Sequence, residues 1–300
     1  MRKIEFKNFV WLDITSPSEK DIEYLSKHYH FHHLSLEDVV STVQRPKLDQ
    51  YGEYLFLVFH LPRYIKQSFR TVPSEIDIFL GKGYLITIHR EAVKPIEELY
   101  LDIKQRSPEI LTESPALLLY ELLDKTFDYC FPMLDRIGQK IDRIEDNLYD
   151  NQTRKILEEI ALVERDIINF RKIMNPQRYV LKDLEAIKSK YIEAELDVYF
   201  DDIVDKIERI WDLLDNYKEV SEVLQHTSES IVTHKLNDVI RILTIFSVLM
   251  LPLTVITGFY GMNIVGLPFA NHSLAGEIII GIMLLVVLAM LVFFNRRRWL

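Results

Sequence analysis

"ILTIFSVLMLPLTVITGFYGM", residues 242–262, runs without a charged side chain. A helix rises about 1.5 Å per residue, so these residues extend about 30 Å, the thickness of a bilayer's hydrocarbon core. A second run of the same length follows, "LAGEIIIGIMLLVVLAMLVFF" (274–294), with Glu277 near its outer end. Soluble cores rarely use two such runs in succession, so the pair predicts two transmembrane helices. Lys235 and Arg241 precede the first span, and Arg296, Arg297 and Arg298 follow the second. The connecting loop, 263–273, has neither Lys nor Arg. The positive-inside rule then places both termini in the cytoplasm and the loop outside. Trp299 suits the interface. Pro252, inside the first span, removes a backbone donor and predicts a kink, at a packing contact or beside a pathway.

Working outward, residues 1–241 read as an acidic soluble protein. The whole chain has 300 residues, a net charge of −9 and 27% charged residues. That balance argues against nucleic acid as a partner. The start, "MRKIEFKNFVWLD", has no apolar stretch of the signal-peptide kind, so no signal peptide is expected. The one cysteine, Cys130, leaves no internal disulfide to form.

Within 1–113, "YLFLVFHL" (54–61), "EIDIFLG" (75–81) and "YLITIHR" (84–90) read as strands, with "GKG" (81–83) as a hairpin turn. "SPSEKDIEYLSKHY" (16–29) has a capping signal and helical spacing. This predicts an α/β cytoplasmic domain with a mixed or antiparallel sheet. From Ser114 to 241 the apolar period becomes helical, over 114–150, 152–190 and 197–241. Asn175-Pro176 marks a kink or break in the middle run. The third run continues into the first span, predicting one helix from about 197 to 262, about 100 Å long, as a stalk. Residues 242–262 are then the first transmembrane helix, 263–273 the outer loop, 274–294 the second transmembrane helix, and 295–300 a basic cytoplasmic tail.

Three clusters invite function. "HYHFHHLSLEDVV" (28–40) has four histidines, but its spacing matches no zinc finger or HExxH pattern, so a loop and helix cap is the plainer reading. Asp197, Asp201, Asp202, Asp205, Glu208, Asp212 and Asp215 form a solvated face or a weak divalent-cation site completed by a neighbouring subunit. Leu243 or Thr244, Ser247, Leu251, Thr254 and Gly258 recur at steps of three or four along the first span, with Asn237 six or seven residues before them and Asn263 five residues beyond. Small and polar residues in such a stripe make a helix-packing seam, or line a pore if several chains close into a ring. No nucleophile–base pair, P-loop or zinc motif points to an enzyme.

"YGMN" (260–263) closing a proline-containing span, a short outer loop, a second span and a basic "NRRRWL" end resemble the CorA family of divalent-cation channels and transporters. "HHLSLEDVVSTVQRPKLDQYGEYLFLVFH" (32–60) is similar to that family's cytoplasmic signature, so the resemblance covers nearly the whole chain. It implies a funnel-shaped homopentamer of identical subunits in the cell (inner) membrane. It implies Mg2+ as the transported ion and as a regulator, with Co2+ or Ni2+ as alternative cargo. It implies a selectivity motif of Gly261, Met262 and Asn263, with five Asn263 amides at the outer mouth. Asn237, Thr254 and Gly258 become polar stations, Ser247 a further pore-lining position, and Leu243 and Leu251 apolar constrictions. Gly261 is expected to allow close approach and unusual dihedrals, and Tyr260 and Met262 to brace the turn. A hydrated ion held through its water shell suits Mg2+, which sheds water reluctantly. The outer loop departs from the family in having few acids, with Glu277 and His272 alone near the mouth.

The resemblance also implies a regulatory cytoplasmic Mg2+ site with one acid at Asp202. Its partner segment here reads "PRYIKQSFR" (62–70), a loop carrying Arg63, Lys66 and Arg70 where an acid is expected at Ile65. A cation there competes with Mg2+ for Asp202, so feedback is expected to be weaker or moved to Asp201, Asp205 or Glu208. A Zn2+ or Co2+ transporter of the same fold, and a non-conducting membrane-anchored cation sensor or scaffold, are the rival functions.

Overall fold

A computed structural model describes residues 1–41, 44–65, 70–105, 114–148, 153–264, 267–268, 274–297 and 299; the side chains of 153–154 and 188–190 are outside the description. The chain divides into two compact units, Met1–Gln225 and His226–Leu300.

The first unit is built on six strands: β1 (Arg2–Glu5), β2 (Val10–Thr15), β3 (Lys47–Gln50), β4 (Tyr54–Ile65), β5 (Arg70–Gly81) and β6 (Tyr84–His89). Their order across the sheet is β1-β2-β6-β5-β4-β3. Only β2 and β6 run parallel; the other neighbours are antiparallel, so the sheet is mixed, as expected. β4 is an unbroken apolar run because both its faces are covered. Tyr54, Phe56 and Val58 pack with α1 (Glu19–Tyr29) and α2 (His33–Val40), through Leu25, Leu36 and Val39. The opposite face meets α6 (Thr153–Tyr191), which packs on β3, β4 and β5.

The α1 helix begins at Glu19 rather than 16, because Ser18 caps it. The Ser18 hydroxyl accepts from the Asp21 N–H at 3.3 Å, and the Asp21 carboxylate accepts from the Ser18 N–H at 2.9 Å. The helical run from 114 resolves into two helices, α4 (Pro115–Asp128) and α5 (Phe131–Asp146), which follow α3 (Lys94–Gln105). Ser114 caps α4, and Pro132 sits in the first turn of α5, where a missing N–H costs nothing. Pro176 does not break α6, which continues on both sides of it.

A correction falls on 62–70. The strands expected at 54–61 and 75–81 are both longer, and pair as far as Ile65 opposite Arg70. Pro62 lies directly opposite Pro73. Both positions lie beyond the pairing of β3 and β6, so their outer edges have no ladder bond for a proline to remove. Arg63, Ile65 and Arg70 thus stand on strands rather than a loop, and Lys66 lies outside the described residues.

The second unit contains the C-terminal part of α7 (Asp197–Tyr260), which follows a short 3-10 turn (Ala194–Leu196), and α8 (Ala275–Arg296). The helix expected over 197–262 ends two residues earlier. Both helices are long and apolar enough to cross a membrane.

Candidate functional site

At about 100° per residue, Leu243, Ser247, Leu251, Thr254 and Gly258 fall within an arc of about 80° on α7. Thr244 and Asn237 lie within about 40° of its edge. The two leucines are 64% and 67% exposed in the single chain. Asn237, Ser247, Thr254 and Gly258 are exposed as well. The more covered positions Ile245, Leu249, Pro252, Leu253, Ile256 and Tyr260 centre on the opposite side of the helix, while Thr244 is half-buried beside the stripe's edge. On α8 the more covered positions are Ala275, Ile279, Met283, Val286, Val287, Met290 and Phe294, which again follow a helical period. The polar stripe is therefore not on the covered side of α7. It is a face that one chain leaves open.

The hydroxyls along α7 are oriented by their own helix. Thr244 Oγ1 donates to the Ile240 carbonyl at 2.8 Å, Thr254 Oγ1 to Met250 at 2.9 Å, and Thr257 Oγ1 to Leu253 at 2.9 Å. With the proton committed inward, each oxygen presents lone pairs to its surroundings. Such a surface suits the outward hydrogens of a cation's bound water.

At the end of α7 the Gly261 N–H donates to the Thr257 carbonyl at 2.9 Å, and the Met262 N–H to Phe259 at 3.4 Å. A Cβ on Gly261 would sit 3.0 Å from the Thr257 oxygen. Close approach is thus the reason for glycine; its φ lies outside the left-handed range, which corrects the expectation of unusual dihedrals. Tyr260 packs edge-on against Phe259, with ring centres 5.4 Å apart. Met262 is 41% exposed. Asn263 stands exposed immediately beyond it. His272 and Arg298 lie outside the described residues. Glu277 is exposed in the first turn of α8.

The acids along the N-terminal part of α7 have divided roles. Glu208 is held by Arg178, whose Nε reaches Oε1 at 3.0 Å, and Asp215 by Arg171. Arg171 and Arg178 both lie over the Trp211 ring, 4.4 and 4.7 Å from its centre. Arg171 holds the Asp215 carboxyl below its usual range by hydrogen bond and charge. Asp202 and Asp205 remain exposed on α7. Arg63 pairs with Glu91 of the same chain. Among the described residues no three His, Cys, Asp or Glu side chains gather to hold a metal.

The histidine cluster has structural work instead. His28 Nδ1 lies 2.8 Å from the Tyr24 carbonyl. His30 ends α1 in the left-handed conformation, φ 51°, and His32 caps α2 by accepting from the Leu34 N–H at 3.3 Å. The sequence reading missed the buried polar centre around Asp13. The Asp13 carboxylate accepts from Arg2 Nε and Thr87 Oγ1, each at 2.6 Å, and lies 3.1 Å from His89 Nε2. Burial raises the Asp13 pKa, but the bonds from His89 and Thr87 and the charge of Arg2 outweigh it, so the net direction is down.

Comparison with known proteins gives a consistent result. The family described as "CorA-like Mg2+ transporter protein" matches residues 6–297. The cobalt/magnesium transport protein CorA of Thermotoga maritima is 26% identical over 97% of this chain and 83% of its own length. The solved structure of the CorA magnesium transporter of Methanocaldococcus jannaschii shares the fold, with a TM-score of 0.88 at 23% identity, over all of this chain and 95% of that one. The zinc transport protein ZntB of Pectobacterium atrosepticum is 23% identical over 86% of this chain and 78% of its own length.

Proposed function

The chain belongs to the CorA-like Mg2+ transporter family, and from that premise we propose that five copies assemble into a channel carrying Mg2+ into the cytoplasm. The observation that carries this reading is the open stripe of α7 from Leu243 to Gly258, opposite its covered side, with Asn263 exposed just beyond the end of the helix. Five such stripes facing one axis give a path lined in turn by amide, hydroxyl and leucine. The positive-inside rule puts both termini in the cytoplasm.

The outermost ring is the selectivity filter. A hydrated Mg2+ shows only water hydrogens to the wall, so the wall must offer acceptors. Five Asn263 amide oxygens do so without a fixed charge that would bind the ion too tightly to leave. Gly261 and Met262 set that ring at the end of the helix. Thr254, Gly258, Ser247 and Asn237 supply acceptors further along, with backbone carbonyls where glycine leaves them uncovered. Leu251 and Leu243 narrow the path with apolar side chains, and a narrow apolar ring closes by dewetting. The membrane potential drives entry, at about 2.3 kcal/mol per charge per 100 mV and twice that for a divalent ion. Exposed Asp202 is the regulatory acid of this reading, with Mg2+ as its ligand. Glu208, already held by Arg178, is the poorer choice of the acids considered.

The test is Mg2+ flux into liposomes holding the purified chain, with an internal dye and competing Zn2+, Co2+ and Ni2+. Saturable Mg2+ entry that Zn2+ does not replace supports the reading. Zn2+ entry without Mg2+ entry would move the chain to the zinc-carrying reading, for which the ZntB relative is the motive. No flux of any ion from folded protein leaves a sensor or scaffold.

A further inference from the structure

A cleft of about 1040 Å³ opens in the first unit, between α6, the start of β5 and the segment Gln44–Pro46. Arg165, Asn169, Lys172, Pro176 and Tyr179 line it from α6. Their steps of four, three, four and three put them on one face, extending about 21 Å along the helix. Arg70 and Arg45 face them from the other walls. The chain is acidic, at −9 overall, yet no Asp or Glu is among the described residues lining this cleft. Arg45, Arg70 and Lys172 make no ion pair among the described residues. Glu75 lies behind the cleft residue His60, 3.6 Å from its Nε2, and is bound by the Gln44 N–H at 2.5 Å.

We propose that this cleft binds a metal-free nucleoside polyphosphate, its phosphates along Arg45, Arg70, Arg165 and Lys172 and its base on Tyr179. Arg45, Arg70 and Lys172, joined by Arg165 on the same face, stand in a wall with no carboxylate among its described residues, and such a wall attracts a ligand of several negative charges. Arginine adds a planar fork that matches phosphate oxygens. Tyr179, 63% exposed at one end of the groove, offers an aromatic face beside Pro176, and a base stacks on such a face. A bound divalent ion competes with these side chains for the same oxygens, so the site prefers the nucleotide without its metal. Free nucleotide rises as Mg2+ falls, and occupancy rises with it. The binding claim stands apart from the transport reading.

The experiment is calorimetric titration of the purified full-length protein in detergent, in a chelator, with ATP, inorganic tripolyphosphate, and ATP in excess Mg2+. Saturable binding of ATP is expected, at least tenfold weaker in excess Mg2+ and weaker at high salt. Arg45→Glu with Lys172→Glu should lower affinity at least tenfold at an unchanged melting temperature. Where that pair lowers the melting temperature, Arg45→Gln with Lys172→Gln takes its place, with the same direction expected. Tyr179→Ala should weaken ATP several-fold and leave tripolyphosphate unchanged. Absence of ATP binding, or ATP binding indifferent to both charge variants, overturns the site. Equal affinity with and without Mg2+ overturns the metal-free assignment, and equal loss of ATP and tripolyphosphate in Tyr179→Ala overturns the base platform. Charge variants that dissociate the oligomer of a protein that binds no ATP would make the cleft a subunit contact instead.

Discussion

A single methyl group on Gly261 would stand 3.0 Å from the Thr257 carbonyl oxygen, closer than ordinary contact. The last turn would have to open by a few tenths of an ångström, and Asn263 would move with it. Gly261→Ala should therefore lower Mg2+ flux partly, while Asn263→Ala should abolish it and leave the oligomer intact on a sizing column. The contrast separates placing the amide from being the amide; near-normal flux in Asn263→Ala would remove the filter role. How legible were the individual residues? The stripe stood out by spacing, whereas Gly261 and Asn263 were singled out by the resemblance of their motif to a family. The histidines did not, because a metal ligand and a cap use the same ring, and only the φ of His30 and the bond to His32 tell them apart. Glu208 and Arg178 are thirty positions apart, and no local pattern joins residues on separate helices.

Elements were read well where one period ran long. Both apolar spans, α6 and α7 follow directly from their spacing, and the β5–β6 turn from its glycines. The β4–β5 ends were misread because proline ordinarily stops a strand, and the exemption here depends on where the neighbouring strands end. β5 carries a further consequence. Asp77 is buried, and burial, then the charge of Glu75, push its carboxyl well above its ordinary value. Its folded pKa exceeds its unfolded one, so it costs stability increasingly as pH rises above about 4. Asp77→Asn removes that cost. Its melting temperature relative to wild type should climb between pH 4 and pH 8; a constant difference would show that Asp77 does not titrate there. At α1, Ser18→Ala loses a reciprocal cap and should cost about 1 kcal/mol in denaturant melts.

At the scale of the whole molecule, the two leucine rings exist only if chains assemble. Replacing Leu243 or Leu251 by Asn should wet a constriction and raise resting flux at equal expression. Unchanged or lower flux would make the stripe a packing seam. Two membrane spans after an acidic α/β part were plain from composition and charge. The arginine-lined cleft was not, since its walls come from residues near 45, near 70 and from 165 to 179, and only the folded sheet brings these together. α7 holds one more consequence. Ser247, Thr254 and Gly258 are each followed in sequence by a larger apolar residue: Val248, Val255 and Phe259. One residue is about 100° of arc. Turning each helix about its own axis by that much, with no sliding and no change of diameter, would bring Val248, Val255 and Phe259 to the places of Ser247, Thr254 and Gly258, exchanging polar or open positions for apolar ones at three levels. In the channel proposed above, α7 would then act as a rotary valve at those levels, with its polar and apolar faces side by side on one rod.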